Sequence, residues 1–92
     1  MTKEDLNILR DKALREGRMM RYWDRMYHQR KRENAKEYLL DQAYRNWLWS
    51  EGGFQSMVLV LAHFEKRISA EIEMEILHQL DKEERMNNDN AN

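Results

Sequence analysis

The sequence predicts an all-α fold, either an antiparallel helical hairpin or a three-helix bundle with a long C-terminal helix. The first reason is that its 92 residues include no proline and only three glycines, so few positions interrupt a helix. The second is that apolar residues recur three, four and seven positions apart, as on one face of a helix. The length fits one domain near the small end of what folds alone.

The first helix is predicted to begin near residue 3, where Thr2 and Asp5 resemble a capping box with aspartate in place of glutamate or glutamine. Six residues form its apolar face: Leu6, Leu9, Ala13, Met20, Trp23 and Tyr27. Gly17 lies off this face in a helical projection. We therefore expect the helix to run through Gly17 at a cost of roughly 1 kcal/mol, and not to end there.

A turn or sharp bend is predicted near residues 29–34, because the apolar face of the first helix fails there. Asn34 and Glu37 fit the N-cap and third residue of a new helix, which is predicted to begin near Ala35. The apolar residues of this second helix lie on a face turned away from the first: Leu40, Ala43, Tyr44 and Trp47. A single helix from residue 3 to residue 49 is the alternative.

A chain reversal is predicted at Ser50–Gly53, since a glycine pair after a helical stretch is typical of a left-handed helix cap. A long third helix follows, with an apolar stripe over six turns: Phe54, Met57, Val58, Leu61, Phe64, Ile68, Ile72 and Ile76. We assign residues 1–85 to a single helical domain. Residues 86–92 are polar and lack periodicity, so they are predicted to form a disordered tail.

Charge is divided between the two halves of the chain. Residues 1–36 carry 11 Lys and Arg against 6 Asp and Glu, whereas residues 37–92 carry 5 against 11. Six basic residues on one side of the first helix, opposite its apolar face, form a basic stripe: Arg18, Arg21, Arg25, His28, Arg32 and Lys36. The stripe can be a solvated face that complements the acidic half of the chain, a site for nucleic acid, or a site for an acidic protein.

Arginines one turn apart can contact successive phosphates, and Tyr22 beside the stripe can stack on a base. These features define the predicted partner-binding residues: Arg18, Arg21, Tyr22, Arg25, Arg32 and Lys36.

More apolar surface is present than one hairpin can bury. The run Met57–Ala62 covers every side of a helix, and Trp47 and Trp49 face nearly opposite ways. Either this run lies at the centre of a three-helix bundle, or it meets another subunit; a surplus in so small a chain favours burial between subunits. We therefore expect a homo-oligomer, most simply a homodimer, with an interface formed by some of the residues Trp47, Trp49, Leu59 and Val60.

Few residues point to chemistry. The chain has no cysteine, no glycine-rich phosphate loop and no recognisable serine elbow. Glu71, Glu75 and His78 share one helix side, and a Glu-x-x-His element is used in di-iron bundles. Those bundles need a second copy of the element, which this sequence lacks. We therefore expect no catalytic residue, no metal site and no cofactor.

The function expected from these features is that of a small non-enzymatic helical interaction protein, such as an adaptor, inhibitor or assembly factor. It would bind a macromolecular partner and form a homo-oligomer. The alternative is a nucleic-acid-binding regulator that uses the basic stripe over residues 18–36. We expect a cytoplasmic location and no membrane partner, since the first residues are polar and the longest apolar run is too short to cross a bilayer.

Overall fold

The computed structural model describes the backbone of residues 1–91 and the side chains of residues 1–88. Within these residues the chain forms three α-helices and no strand: α1 (Lys3–Arg32), α2 (Glu37–Glu65) and α3 (Ser69–Ala91). The predicted all-α class is therefore confirmed in its three-helix form. α1 begins with the predicted capping box, in which the Asp5 N–H donates to Thr2 Oγ1 at 3.1 Å and the Thr2 N–H donates to the Asp5 carboxylate at 3.2 Å.

The predicted bend between the first two helices is confirmed, and the single helix from residue 3 to residue 49 is excluded. α1 ends at Arg32, and Asn34 adopts the left-handed conformation with a φ of 55°. The prediction that Asn34 caps α2 is wrong, because Asn34 closes the end of α1 and Lys36 is the N-cap of α2. Asparagine suits a left-handed position since its short polar side chain tolerates that backbone better than most residues do.

The predicted reversal at Ser50–Gly53 is wrong, because α2 continues through it as one helix of 29 residues. Neither Gly52 nor Gly53 has a positive φ. Ser50 and Phe54, one turn apart on either side of the glycine pair, are both buried. Burial of a phenylalanine side chain contributes about 1.5–3 kcal/mol, which offsets the roughly 1 kcal/mol that each mid-helix glycine costs.

The second reversal lies at residues 66–68 and divides the predicted third helix into the second half of α2 and all of α3. Lys66 adopts the left-handed conformation with a φ of 56°, and the Arg67 N–H donates to the Ala62 carbonyl at 3.0 Å. No glycine, proline or asparagine marks this turn in the sequence. Ile68, predicted for the continuous apolar stripe, is consequently exposed at the turn.

α1 and α2 form an antiparallel hairpin. Near the first turn, the Arg30 guanidinium donates to the Leu39 carbonyl at 2.6 Å. Toward the opposite end, Arg10 near the start of α1 donates to the Glu65 carboxylate at the end of α2, also at 2.6 Å. These two contacts join early residues of one helix to late residues of the other, as an antiparallel pair requires.

α3 packs on this hairpin and runs in the same direction as α1, since Arg10 pairs with Glu75 and Arg18 pairs with Glu83. The hydrophobic core lies where the three helices meet. Its buried residues are Ala13, Phe54, Val58, Leu61, Ala62, Ile72, Ile76 and Leu80. Nearer the first turn, Ala43 of α2 is also buried, and Arg21 and Arg25 of α1 still contact α3 there.

Gly17 lies at the crossing of α1 and α3. A Cβ atom placed on Gly17 would lie 2.6 Å from Leu80 Cδ1 and 3.5 Å from the Phe54 ring. The helix runs through Gly17 as predicted, but the placement of Gly17 off the apolar face is wrong, since it is buried. α1 packs against both α2 and α3, and the absence of a side chain at Gly17 permits the close approach of α3.

The last described turns of α3 lie beside α1, where Asn87 and Asn88 line a shallow pocket with Arg25. Among its described side chains, Leu80 is the last that is buried, and residues 85–88 are all exposed. The helix continues to Ala91, through most of the segment 86–92 that is predicted to be a disordered tail. Asn92 lies outside the described residues, and disorder of the tail stays a prediction.

Candidate functional site

Three arginines of the basic stripe bind carboxylates of α3. Arg18 donates from Nε and Nη2 to the two carboxylate oxygens of Glu83, each at 2.9 Å. Arg21 donates to Asp81 at 2.6 Å. These contacts place this part of the stripe against the acidic half of the same chain, which is one of the three predicted interpretations. The stripe lies beside the core at this level, and not opposite it, because α3 occupies that side of α1.

Glu84 extends the same network along α3. Its carboxylate accepts from Arg21 at 3.2 Å and from Arg25 at 3.0 Å, so it joins two turns of α1. The side chain of Arg25 is 60% exposed, and that of Arg21 is 23% exposed. Exposed ion pairs contribute about 0–1 kcal/mol each, so the network fixes the position of α3 more than it stabilises the fold.

These arginines hold the pKa values of two α3 carboxylates below their ordinary range. The hydrogen bond from Arg18 lowers the pKa of Glu83, and the same bond raises the pKa of Arg18. The hydrogen bond from Arg21 lowers the pKa of Asp81. Both carboxylates are therefore ionised, and the network intact, at neutral pH.

A second cluster of charges fixes the turn between α2 and α3. Arg67 in the turn forms a two-pronged hydrogen bond with Glu75, and Arg10 of α1 reaches both Glu75 and Glu65. The hydrogen bond from Arg67 is the main cause of a lowered pKa at Glu75, with Arg10 adding to it. One oxygen of Glu65 is buried without a hydrogen bond and has the Arg67 guanidinium 3.9 Å away.

The two glutamates considered above as metal ligands belong to this cluster. Glu75 is bound by arginines, and Glu71 lies 3.5 Å from Arg67. Over the residues that the structure describes, no group of three or more His, Asp or Glu side chains is arranged to hold a metal ion. Arginine is the partner that the geometry gives these carboxylates.

The remaining residues of the basic stripe form no ion pair with a carboxylate among residues 69–88 of α3. His28, Arg32 and Lys36 are exposed, and among residues 1–88 neither Arg32 nor Lys36 forms an ion pair within 4.0 Å. His28 Nε2 lies 3.5 Å from Asp24 Oδ1. Tyr22, predicted to stack on a base, is half-exposed and makes an edge-to-face contact with Trp23 at 5.0 Å between ring centroids.

An aromatic cleft opens between α1 and α2, and none of residues 69–88 of α3 lines it. Its volume is about 190 Å³, and its lining residues are Asp24, Tyr27, His28, Tyr44 and Trp47. The Tyr44 ring lies between the other two large rings, 6.5 Å from Tyr27 and 6.2 Å from Trp47 between centroids. No residue pattern predicts this cleft, because it depends on the register in which α1 and α2 pack against each other.

The four residues predicted for an oligomer interface do not share one surface. Trp49 is 75% exposed and Leu59 is 60% exposed, whereas Trp47 and Val60 are half-buried. Trp49 and Leu59 belong to the outer face of α2, which is turned away from the core. Its exposed residues are Tyr38, Arg45, Trp49, Gly52, Ser56 and Leu59. Participation of all four residues in one interface stays a prediction.

None of the helices within residues 1–91 combines the length and the hydropathy that a bilayer crossing needs. The arrangement found here is a set of surfaces: a charge network that is already satisfied, an open aromatic cleft, and an exposed apolar helix face. No protein-family model, no curated protein and no solved structure matches this chain.

Proposed function

We propose that this protein is a small non-enzymatic interaction protein that forms a homodimer and binds a macromolecular partner, as an adaptor, inhibitor or assembly factor does. The observation that carries the proposal is the amount of large apolar side chain exposed along α2. These residues are Tyr38, Tyr44, Leu48, Trp49, Leu59 and Phe64. Single exposed apolar residues are ordinary on a surface, but a helix that exposes many of them is typical of an interaction site.

The outer face of α2 is the part best suited to a second copy of the chain. Gly52 and Ser56 lie between Trp49 and Leu59, and no atom lies within 4 Å of a Cβ placed on Gly52. In a symmetric dimer this face meets itself, so large side chains of one copy can lie over the small residues of the other. Burial of an exposed tryptophan is among the contacts that contribute most to protein interfaces.

Analytical ultracentrifugation tests the dimer. At tens of micromolar, well above a typical micromolar dissociation constant, we expect a dimer, and Trp49→Ala with Leu59→Ala should give a monomer of unchanged helix content. Met74→Ala is the matched control, because Met74 is equally exposed but lies on α3. A monomeric wild-type protein at this concentration would contradict self-association.

The alternative function, regulation through nucleic acid bound by the basic stripe, has less support. Arg18, Arg21 and Arg25 already bind carboxylates of α3, so phosphate groups would have to displace those carboxylates. Affinity capture from native host extract, with and without nuclease, separates a protein partner from a nucleic-acid tether. A captured partner lost on nuclease treatment would favour the alternative. The cytoplasmic location stays a prediction.

A further inference from the structure

We propose that the aromatic cleft, together with the exposed basic side chains beside it, binds an acidic amphipathic helix of a partner protein. This inference rests on the proposed function and gives the class of partner. It concerns a surface different from the outer face of α2, so partner binding and self-association use separate parts of the molecule.

α3 shows what the groove between α1 and α2 accepts. It places an apolar ridge of Ile72, Ile76 and Leu80 against the hairpin, and all three side chains are buried. Beside that ridge, carboxylates of α3 bind arginines of α1, as Glu83 does with Arg18. The groove is thus matched to a helix that combines an apolar ridge with carboxylates along the α1 edge.

Basic residues continue along α1 toward the first turn of the hairpin. Residues 18, 25 and 32 are seven apart, so these three arginines share one face of α1. Arg18 and Arg25 bind Glu83 and Glu84 of α3, whereas Arg32 is exposed one turn beyond His28. Lys36, at the start of α2, adds a second exposed cation at this end of the hairpin.

The floor of the cleft supplies the apolar part of the match. Tyr27 and Trp47 are half-buried, and Tyr44 between them is 51% exposed, so the rings leave a recess between the two helices. A cleft of about 190 Å³ accommodates one or two apolar side chains projecting from a helix. This recess lies between the same two helices that α3 packs on, so a bound helix would follow the direction of the groove between them.

Nucleic acid fits this site less well. The Asp24 carboxylate lines the cleft, and nucleic acid carries a phosphate at every nucleotide, so a phosphate would be placed near Asp24. An acidic helix can keep its carboxylates along the edge formed by Arg32 and Lys36. The rings of Tyr27 and Tyr44 are also inclined at 57° to one another and do not present the parallel faces that stack on successive bases.

The probe for a direct test is a fluorescein-labelled peptide of residues 69–88, which carries the apolar ridge and the carboxylates of α3, added to the intact protein and followed by fluorescence anisotropy. We expect micromolar binding that weakens about tenfold with Tyr44→Ala and about tenfold with Arg32→Glu. The matched controls, Ile8→Ala and Arg15→Glu, alter an exposed apolar residue and an exposed arginine away from the cleft and should leave binding unchanged.

The charge of the probe provides a second arm. A peptide carrying Asp81→Lys, Glu83→Lys and Glu84→Lys should bind at least tenfold more weakly, because its cations would face Arg32 and Lys36. Circular dichroism of each protein variant ensures that a loss of binding is not a loss of helix.

Three results would overturn the proposal. One is no binding of the peptide at hundreds of micromolar, an order-of-magnitude limit for a specific site. Another is binding that neither cleft substitution weakens, since the peptide would then be replacing α3. The third is a single-stranded oligonucleotide that binds and is lost with Tyr44→Ala and Arg32→Glu. Sedimentation of the same samples tests the homodimer independently of peptide binding. A protein that dimerises but binds no peptide would contradict this inference and leave the proposed function standing.

Discussion

Replacing Gly52 with alanine should stabilise the protein, although Gly52 belongs to the only glycine pair in the chain. Gly52 lies in the middle of α2, and no atom lies within 4 Å of the Cβ that alanine would add. Alanine in a helix interior is favoured over glycine by about 0.8–1 kcal/mol, partly because it restricts the unfolded chain. For a domain of this size that gain raises the melting temperature by roughly 4–8 °C.

Gly17→Ala provides the matched comparison, because Gly17 also lies inside a helix and gains the same intrinsic preference. Its added Cβ would lie 2.6 Å from Leu80 Cδ1, and Leu80 is only 2% exposed, so it has little room to move. Overpacking of this kind costs about 1–3 kcal/mol. The net effect is a destabilisation of about 0–2 kcal/mol, and the two variants should differ by about 1–3 kcal/mol.

Urea denaturation followed by far-ultraviolet circular dichroism measures both changes. A third measurement isolates the contact: in a Leu80→Ala background, Gly17→Ala should stabilise by about 1 kcal/mol, as Gly52→Ala does in the wild type. If Gly52→Ala lowers stability at a protein concentration where the chain is monomeric, residues 50–53 form a reversal and not a helix. If Gly17→Ala stabilises as much as Gly52→Ala without the change at Leu80, the close crossing of α1 and α3 is wrong.

Three further predictions concern charges and caps. Arg18→Glu should lower stability by about 0.5–1 kcal/mol in urea denaturation, and adding Glu83→Arg should restore most of it; no restoration would mean that the pair is not formed. Glu75, Asp81 and Glu83 have folded pKa values below their ordinary ones, so their contribution to stability is present above about pH 5 and is lost as the pH falls through the folded values. The urea midpoint should therefore decline as the pH is lowered below about 5, and less steeply in high salt. A urea midpoint that rises over that pH range would contradict the network. Thr2→Ala should lower the free energy of unfolding by about 1 kcal/mol, because the capping box is lost. Amide exchange in the first turn of α1 that is equally fast in both proteins would contradict this, since that turn would then be frayed in the wild type as well.

The parts of the fold that depend on residues close together in the sequence could be predicted from it. The capping box at Thr2 and Asp5, and the failure of the apolar face near Asn34, are local signals, and both ends of α1 follow from them. The glycine pair is also a local signal. However, glycine disfavours a helix by only about 1 kcal/mol per residue, which the free energy gained by burying Phe54 beside it offsets. The turn at Lys66 has no local signal, since lysine has no special preference for left-handed backbone.

In the candidate sites, too, some features follow from the local sequence and others depend on how the helices pack. Helical spacing is enough to place Arg18, Arg25 and Arg32 on one face, but which of them binds a carboxylate depends on where α3 packs. The aromatic cleft requires Tyr27 to meet Tyr44, and that pairing is set by the register of two long helices. Register follows from packing over the whole hairpin, so no short segment of the sequence determines it.

The unbroken course of α2 has a consequence for the order of folding. Its centre holds two glycines, and the β-branched Val58 and Val60 follow, so α2 has a weak intrinsic tendency to form a helix before it has a partner. α1 has a capping box, acidic residues in its first turn and basic residues in its last, which favour nascent helix in the unfolded chain. α1 would then serve as the template on which α2 becomes helical, and a substitution in the middle of α2 would change the rate of unfolding more than the rate of folding.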